Sequence, residues 1–231
     1  MSTLLLRLAA PMQAWGDSSR FSRRETRREP TKSGVLGMLA AAQGRRRSDP
    51  LEDLVGLHFG VRVDQPGELV RDFQTARSLD GRRTMPLSER YYLADAVFLA
   101  AVSGPRQLVD GLAEAVQAPR FPLYLGRRSC PPTGRVYLDT VDADVHAALT
   151  SAPWQAASWF RRRAPKRTSL RIVVDADDDR EGGSEAVRDV PLSYSPVRRE
   201  YQWRDVRSDL LPIDNPVGRN ERDYLAALDG A

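Results

Sequence analysis

Apolar side chains open the chain in a nearly unbroken run. Residues 3–9 hold Leu4, Leu5, Leu6 and Leu8 around the single Arg7, which predicts a strand covered on both faces. Pro11 ends it, and Trp15-Gly16-Asp17 reads as a turn whose indole is a packing anchor or a platform for a stacked base. The next apolar positions, Val35, Leu36, Leu39 and Ala40 with Met38 beside them, recur at helical spacing. Thr31 stands where an N-cap belongs and Gly44 where a helix stops. Gly34 and Gly37 inside that helix each cost about 1 kcal/mol relative to alanine. Close passage of another backbone, from the protein or a ligand, would explain them.

Residues 53–56 read as a helical turn. Residues 58–64 alternate Phe59, Val61 and Val63 against Arg62, the pattern of a strand with one wet face. Residues 69–76 form a second extended segment, and 91–102 read as one strand, apolar through its second half and central in a sheet. Pro105 opens a helix lined by Leu108, Val109, Leu112, Ala113 and Val116, and Pro119 stops it. A short strand follows at 136–138. Strand, helix, strand, then strand, helix, strand is the order of an α+β, ferredoxin-like (RRM-like) domain, with four antiparallel strands and two helices on one face. RNA-binding domains often use that plan.

The texture changes near residue 145. Residues 170–174, 190–194 and 200–206 read as strands of a smaller β-rich region. The stretch 175–189 holds seven acids and two arginines around Gly182-Gly183, the composition of a solvated hairpin tip or disordered loop. The expected division is a ferredoxin-like domain over 1–145 and a small β-rich domain over 146–231.

Charge sharpens this picture. The chain carries formal net charge +4 over 231 residues, and Lys32 and Lys166 are its only lysines. Arginine forms bidentate, stackable contacts with phosphates and bases. Between residues 20 and 32 stand Arg20, Arg23, Arg24, Arg27, Arg28 and Lys32 against Glu25 and Glu29, a local +4 equal to that of the whole chain. This arm ends at a helix N-terminus, where free N–H groups and the helix dipole also favour an anion. The anion expected is an RNA backbone. Three more features fit that chemistry. Gly126-Arg127-Arg128 sits in a loop bounded by prolines, a fixed platform for backbone contacts. The 78–90 segment projects Arg82, Arg83 and Met85, suited to wedging between nucleotides. Trp154, Trp159 and Phe160 precede a second basic cluster, Arg161-Arg162-Arg163 with Lys166 and Arg167.

Other chemistries are poorly supplied. Thr31-Lys32-Ser33-Gly34 lacks the glycine spacing and residue order of a P-loop. Cys130 is alone, which leaves no internal disulfide and no cysteine-based zinc site. No metal or cofactor is expected. The two histidines, His58 and His146, stand far from either lysine in sequence, and no catalytic group is assigned. A metal-free ribonuclease assembled in space is the alternative, and a stand-alone RNA-binding regulator is a second. The apolar runs fall short of the roughly 20 residues a membrane span needs. The first residues lack a basic n-region and a cleavage site, so no signal peptide is expected and the cytoplasm is the expected location.

Three blocks carry a resemblance: Pro11-Met12-Gln13-Ala14-Trp15-Gly16, Pro30-Thr31-Lys32-Ser33-Gly34-Val35-Leu36-Gly37 and Tyr124-Leu125-Gly126-Arg127-Arg128-Ser129-Cys130-Pro131. In identity, order and spacing they resemble the Cas-five (CasD) family, subunits of the type I-E CRISPR surveillance complex, Cascade, over roughly residues 3–140. The resemblance implies a repeat-associated RNA-binding fold with a β-hairpin thumb, here within 68–92, and a small C-terminal β-domain. It implies a non-catalytic subunit that binds the 5′ handle of CRISPR RNA. Such a subunit caps the Cas-seven backbone beside the large subunit and meets target DNA only indirectly. On matching positions the implied handle contacts are Gln13 and Trp15, then Lys32, Ser33 and Gly34 at the helix start, then Gly126, Arg127 and Arg128. The arm arginines join on charge, and Arg82, Arg83 and Met85 as the thumb.

Overall fold

In the computed structural model, which describes residues 1–16, 23–176, 183–195 and 197–220, the leucine-rich first strand lies inside a seven-stranded sheet. The elements run β1 (Ser2–Ala9), β2 (Met12–Gln13), β3 (Arg23–Arg24), α1 (Lys32–Ala42), α2 (Glu52–Val55), β4 (His58–Gln65), β5 (Glu68–Gln74) and β6 (Ser88–Ala94). They continue with β7 (Val97–Gly104), α3 (Arg106–Gln117), β8 (Tyr137–Val141), α4 (Val145–Ser151), α5 (Ser158–Arg163), β9 (Arg167–Asp175), β10 (Glu185–Ser193) and β11 (Glu200–Asp214). The large sheet has the order β10-β11-β9-β4-β7-β1-β8, and every neighbouring pair is antiparallel. The fold is thus mixed α/β with mostly antiparallel strands.

Alternation explains the unbroken leucines. Leu4, Leu6 and Leu8 join a core with α1 and α3, whereas Leu5 packs in a second core with α4. Successive side chains leave a strand on opposite faces, so a strand with helices on both sides must be apolar throughout. The same two-sided cover corrects the reading of β4. Arg62 does not face water: it is 1% exposed. Its guanidinium pairs with Asp64 at 2.6 Å and donates to the Ala152 and Pro153 carbonyls at 2.7 and 2.8 Å. The chain following α4 covers that face and supplies the acceptors a buried guanidinium requires. Burial pushes the Asp64 carboxyl up, and the Arg62 guanidinium and the Gln155 N–H oppose that shift.

One expected strand divides, and one expected division is bridged by the sheet. Residues 91–102 are not one strand but β6 and β7, in different sheets, with the corner at Asp95, whose φ is +54°. The apolar pattern runs through the corner because both strands are buried near it. β6 carries β5 along one edge and, elsewhere, β2 near its end and a parallel β3 near its start. The expected boundary near residue 145 falls between β8 and α4, but among the described residues the strands beyond it build no sheet of their own. β9 pairs with β4 through Gly60↔Val174, Val61↔Val173 and Arg62↔Ile172 and extends the first sheet. Among the described residues no helix is long and apolar enough to cross a membrane.

Candidate nucleic-acid interface

The segment from Gln13 to Trp15 is the keel of the site, and it is buried. Gln13 is 0% exposed, and its amide donates to the Leu8 and Ala96 carbonyls at 3.2 and 2.7 Å. The amide oxygen of Gln13 accepts from the Trp15 indole N–H at 3.1 Å. The indole packs on Gly34, where an added Cβ would lie 2.8 Å from the ring. Trp15 N donates to the Thr26 hydroxyl at 2.8 Å, and Arg27 N donates to the Trp15 carbonyl at 2.8 Å. Gln13 and Trp15 therefore position their surroundings and offer no surface to a ligand. The close neighbours of Gly34 and Gly37 are rings, Trp15 and Tyr194, where passing backbones were expected.

One side of the keel holds the arginine loop. Ala14 N donates to the Leu125 carbonyl at 3.2 Å. Leu125 N and Cys130 N close the loop on the Cys130 and Arg127 carbonyls at 2.7 and 2.9 Å. Gly126 has φ +87°, and a Cβ there would stand 1.6 Å from the Ala14 carbonyl oxygen; only glycine lets the loop seat. Arg127 fastens the loop to the smaller sheet. Its guanidinium donates to the Tyr91 and Arg24 carbonyls at 3.0 and 2.9 Å and stacks 4.4 Å from the centre of the Tyr92 ring.

This assembly opens a cleft lined by Arg24, Arg47, Arg90, Arg127 and Arg128, with Gln74, Tyr124, Gly126 and Ser129 between them. Its volume is about 370 Å³, within the range of ligand sites. Among the described residues, five arginines and no carboxylate line it. Among the described residues Arg24, Arg47 and Arg128 have no ion-pair partner. Cations left unneutralised around an open concavity focus a positive potential and attract polyanions. Arg47 and Arg90 escaped the sequence reading. Arg47 belongs to the Arg45-Arg46-Arg47 run beyond the Gly44 stop. Arg90 precedes Tyr91 on β6, a signal hidden at the end of the 78–90 segment, whose sequence reads as a projection and not as a strand.

The other expected anion seat is taken by the protein itself. Thr31 caps α1 by accepting from Gly34 N at 3.1 Å. Lys32 N donates to the Asp189 carboxylate at 2.8 Å, and the Lys32 ammonium pairs with Asp175 at 3.1 Å. Lys32 and Ser33 are 6% and 7% exposed. Arg204 links the two carboxylates, at 2.5 Å to Asp175 and 2.6 Å to Asp189. Burial works to lower the pKa of Arg204, yet the two carboxylates hold it above its ordinary value. The helix dipole and the buried lysine are thus satisfied by two acids from a stretch expected to be solvated, and Lys32 and Ser33 are covered in this arrangement, while Gly34 is half-buried.

The arm divides. Arg20 lies outside the described residues. Arg23 pairs with Glu25 at 2.9 Å, Arg24 enters the cleft, and Arg28 is exposed. Arg27 turns away to a recess shared with Arg171 and Arg204, where Glu29, Glu185 and Asp189 balance the charge. The β5–β6 hairpin carries Arg82, Arg83 and Met85 on its exposed loop; its strands give Gln74 and Arg90 to the cleft, but these three are not among the lining residues. Of the two histidines, His58 lies on β4 and His146 sits on α4 with Asp209 at 3.3 Å.

Comparison with known proteins gives concordant matches. The family described as CRISPR-associated protein (Cas_Cas5) matches residues 3–207. The chain is 39% identical over 166 residues to the CRISPR system Cascade subunit CasD of Escherichia coli (strain K12), covering 62% of this chain and 72% of the relative. A chain of a solved CRISPR RNA-guided surveillance complex superposes with TM-score 0.75 at 34% identity, covering 98% of both chains. A structure titled Crystal structure of Cas protein superposes with TM-score 0.73 at 37% identity, covering 93% of this chain and 99% of the other.

Proposed function

This chain belongs to the CRISPR-associated protein (Cas_Cas5) family, and from that premise we propose that its arginine cleft holds the 5′ handle of CRISPR RNA. The chain is a subunit of a Cascade-type surveillance complex, as the named relative and the superposed complex indicate. In this reading it caps the Cas-seven backbone beside the large subunit and supports antiviral DNA targeting in the cytoplasm without catalysing a reaction. The core follows the ferredoxin-like plan, which the strand order β4-β7-β1-β8 and the packing of α1 and α3 on one side support. The observation that carries the proposal is the cleft: among the described residues, five arginines from four separate segments converge with no carboxylate beside them.

Within it the residues divide by task. Arg24, Arg47, Arg90 and Arg128 meet phosphates, Gly126 lets the loop approach closely, and Arg127 fixes the loop with two of its five N–H groups. Gln13, Trp15, Lys32, Ser33 and Gly34 set the geometry from beneath. The exposed Arg82, Arg83 and Met85 lie on a thumb that reaches the strand farther along.

The test is a triple variant, Arg24→Ala, Arg90→Ala and Arg128→Ala, which spares Arg127 and with it the fold. Binding to a repeat-derived handle RNA is expected to weaken. The log–log salt slope should become shallower by about 2, since each phosphate left unneutralised on a single strand removes about 0.7. Unchanged affinity and slope would remove the cleft from RNA binding. The same titrations, prolonged without metal, would favour the ribonuclease reading if the RNA were cut.

A further inference from the structure

The second basic cluster takes no part in the cleft. Arg162 and Arg163 lie at the end of α5, and Lys166 just beyond it, all exposed. The turn after β11 brings a fourth cation alongside. Lys166 N donates to the Arg219 carbonyl at 3.0 Å, and Arg219 N donates to the Ala164 carbonyl at 2.9 Å. Asn215, 2% exposed, locks the junction by donating to the Arg161 and Pro165 carbonyls at 2.7 and 3.1 Å. The backbone beneath these cations is therefore fixed while their charged ends stay in solvent. Among the described residues none of the four has an ion-pair partner.

Beside them Trp159 keeps 42% of its surface exposed. The Arg163 guanidinium lies 5.5 Å from its ring centre, and Phe160 meets it edge-on at 5.8 Å. Arginines at a helix C-terminus gain from the dipole, but that accounts for neither Lys166, nor Arg219, nor the exposed indole. An indole steadied by a guanidinium offers a stacking surface that any base can use, and the surrounding cations match phosphates. A protein face can also use an indole beside arginines, but four exposed cations without a described ion-pair partner around one stacking ring match a polyanion whose bases alternate with phosphates.

We propose that Trp159, Arg162, Arg163, Lys166 and Arg219 form a second binding surface, for single-stranded nucleic acid held without sequence preference. The strand is RNA continuing beyond the cleft or a separated strand of DNA, and the chemistry recognised is the same. The experiment uses the full chain carrying Arg24→Ala and Arg128→Ala, so that residual binding reports the second surface. Fluorescein-labelled oligo-dT and oligo-U are titrated separately by anisotropy. In that background Trp159→Ala with Arg162→Ala, Arg163→Ala and Lys166→Ala should weaken binding about ten-fold or more near 0.1 M salt. Arg162→Lys with Arg163→Lys should retain most of the affinity, which separates the effect of charge from that of unfolding. A preference for oligo-U assigns the surface to RNA, and a preference for oligo-dT to DNA. Residual affinity equal with and without the surface overturns the proposal. So does loss of a partner subunit from the purified complex with oligonucleotide affinity unchanged, which would make this face a protein contact.

Discussion

Gly126 and Gly81 hold similar left-handed backbones, φ +87° and +70°, in very different surroundings. A Cβ on Gly81 would meet nothing within 4 Å, whereas one on Gly126 would collide with the Ala14 carbonyl. Gly81→Ala should therefore cost only the left-handed conformation, about 1 kcal/mol. Gly126→Ala must also push the arginine loop off the keel and should cost about 3 kcal/mol or more, with weaker RNA retention. Urea denaturation of the pair makes the comparison, and equal costs would mean that loop and keel are not coupled. Tyr194 gives a pH test. Its hydroxyl donates to the Ser33 carbonyl, and burial, followed by Tyr201 and Asp189, pushes its pKa well above the usual phenol value. The unfolded chain then loses this proton first, near pH 10, so stability should be intact below that pH and fall above it. Tyr194→Phe should lose about 1 kcal/mol at neutral pH yet flatten the decline between about pH 10 and 12. Denaturation midpoints at both pH values test the sign.

At the scale of elements, α1 is held from far away in sequence. Its first N–H and its lysine are satisfied by Asp189 and Asp175, separated from Lys32 by 157 and 143 residues. Asp189→Ala leaves Arg204 with one carboxylate and the helix start without its acceptor. Breaking a buried pair in this way typically costs about 3–5 kcal/mol, to be read as a lower urea midpoint. The ends of this helix were legible because Thr31 and Gly44 act locally. The acidic stretch 175–189 was not, because a carboxylate in a loop and one in a buried network read identically until its partner is known. The β6–β7 corner was illegible for a related reason: a strand that changes sheets while staying buried keeps its apolar pattern. Arg62 misled for the opposite reason, since a charge on an alternating strand reads as wet unless the element above it is known.

For the whole molecule, the excess charge is sorted rather than pooled. Much of the 23–32 arm is neutralised at home, by Glu25 at Arg23 and by Asp175 at Lys32. The cleft instead draws its five arginines from four places, Arg127 and Arg128 together and the others singly. Arg24, Arg127 and Arg128 could be found from runs of charge; Arg47 and Arg90 could not, because convergence is a property of the fold. The large sheet is likewise indivisible. A fragment ending at residue 145 would leave the β4 edge that pairs with β9 bare, and open edges template association. It should aggregate where the full chain stays dispersed, as light scattering would report. The same pairing bears on birth at the ribosome. Since β4 waits for residues 167–175 to emerge, the growing chain must carry an unfinished seam while the whole stretch between β4 and β9 is made, and that edge settles only once β9 has arrived.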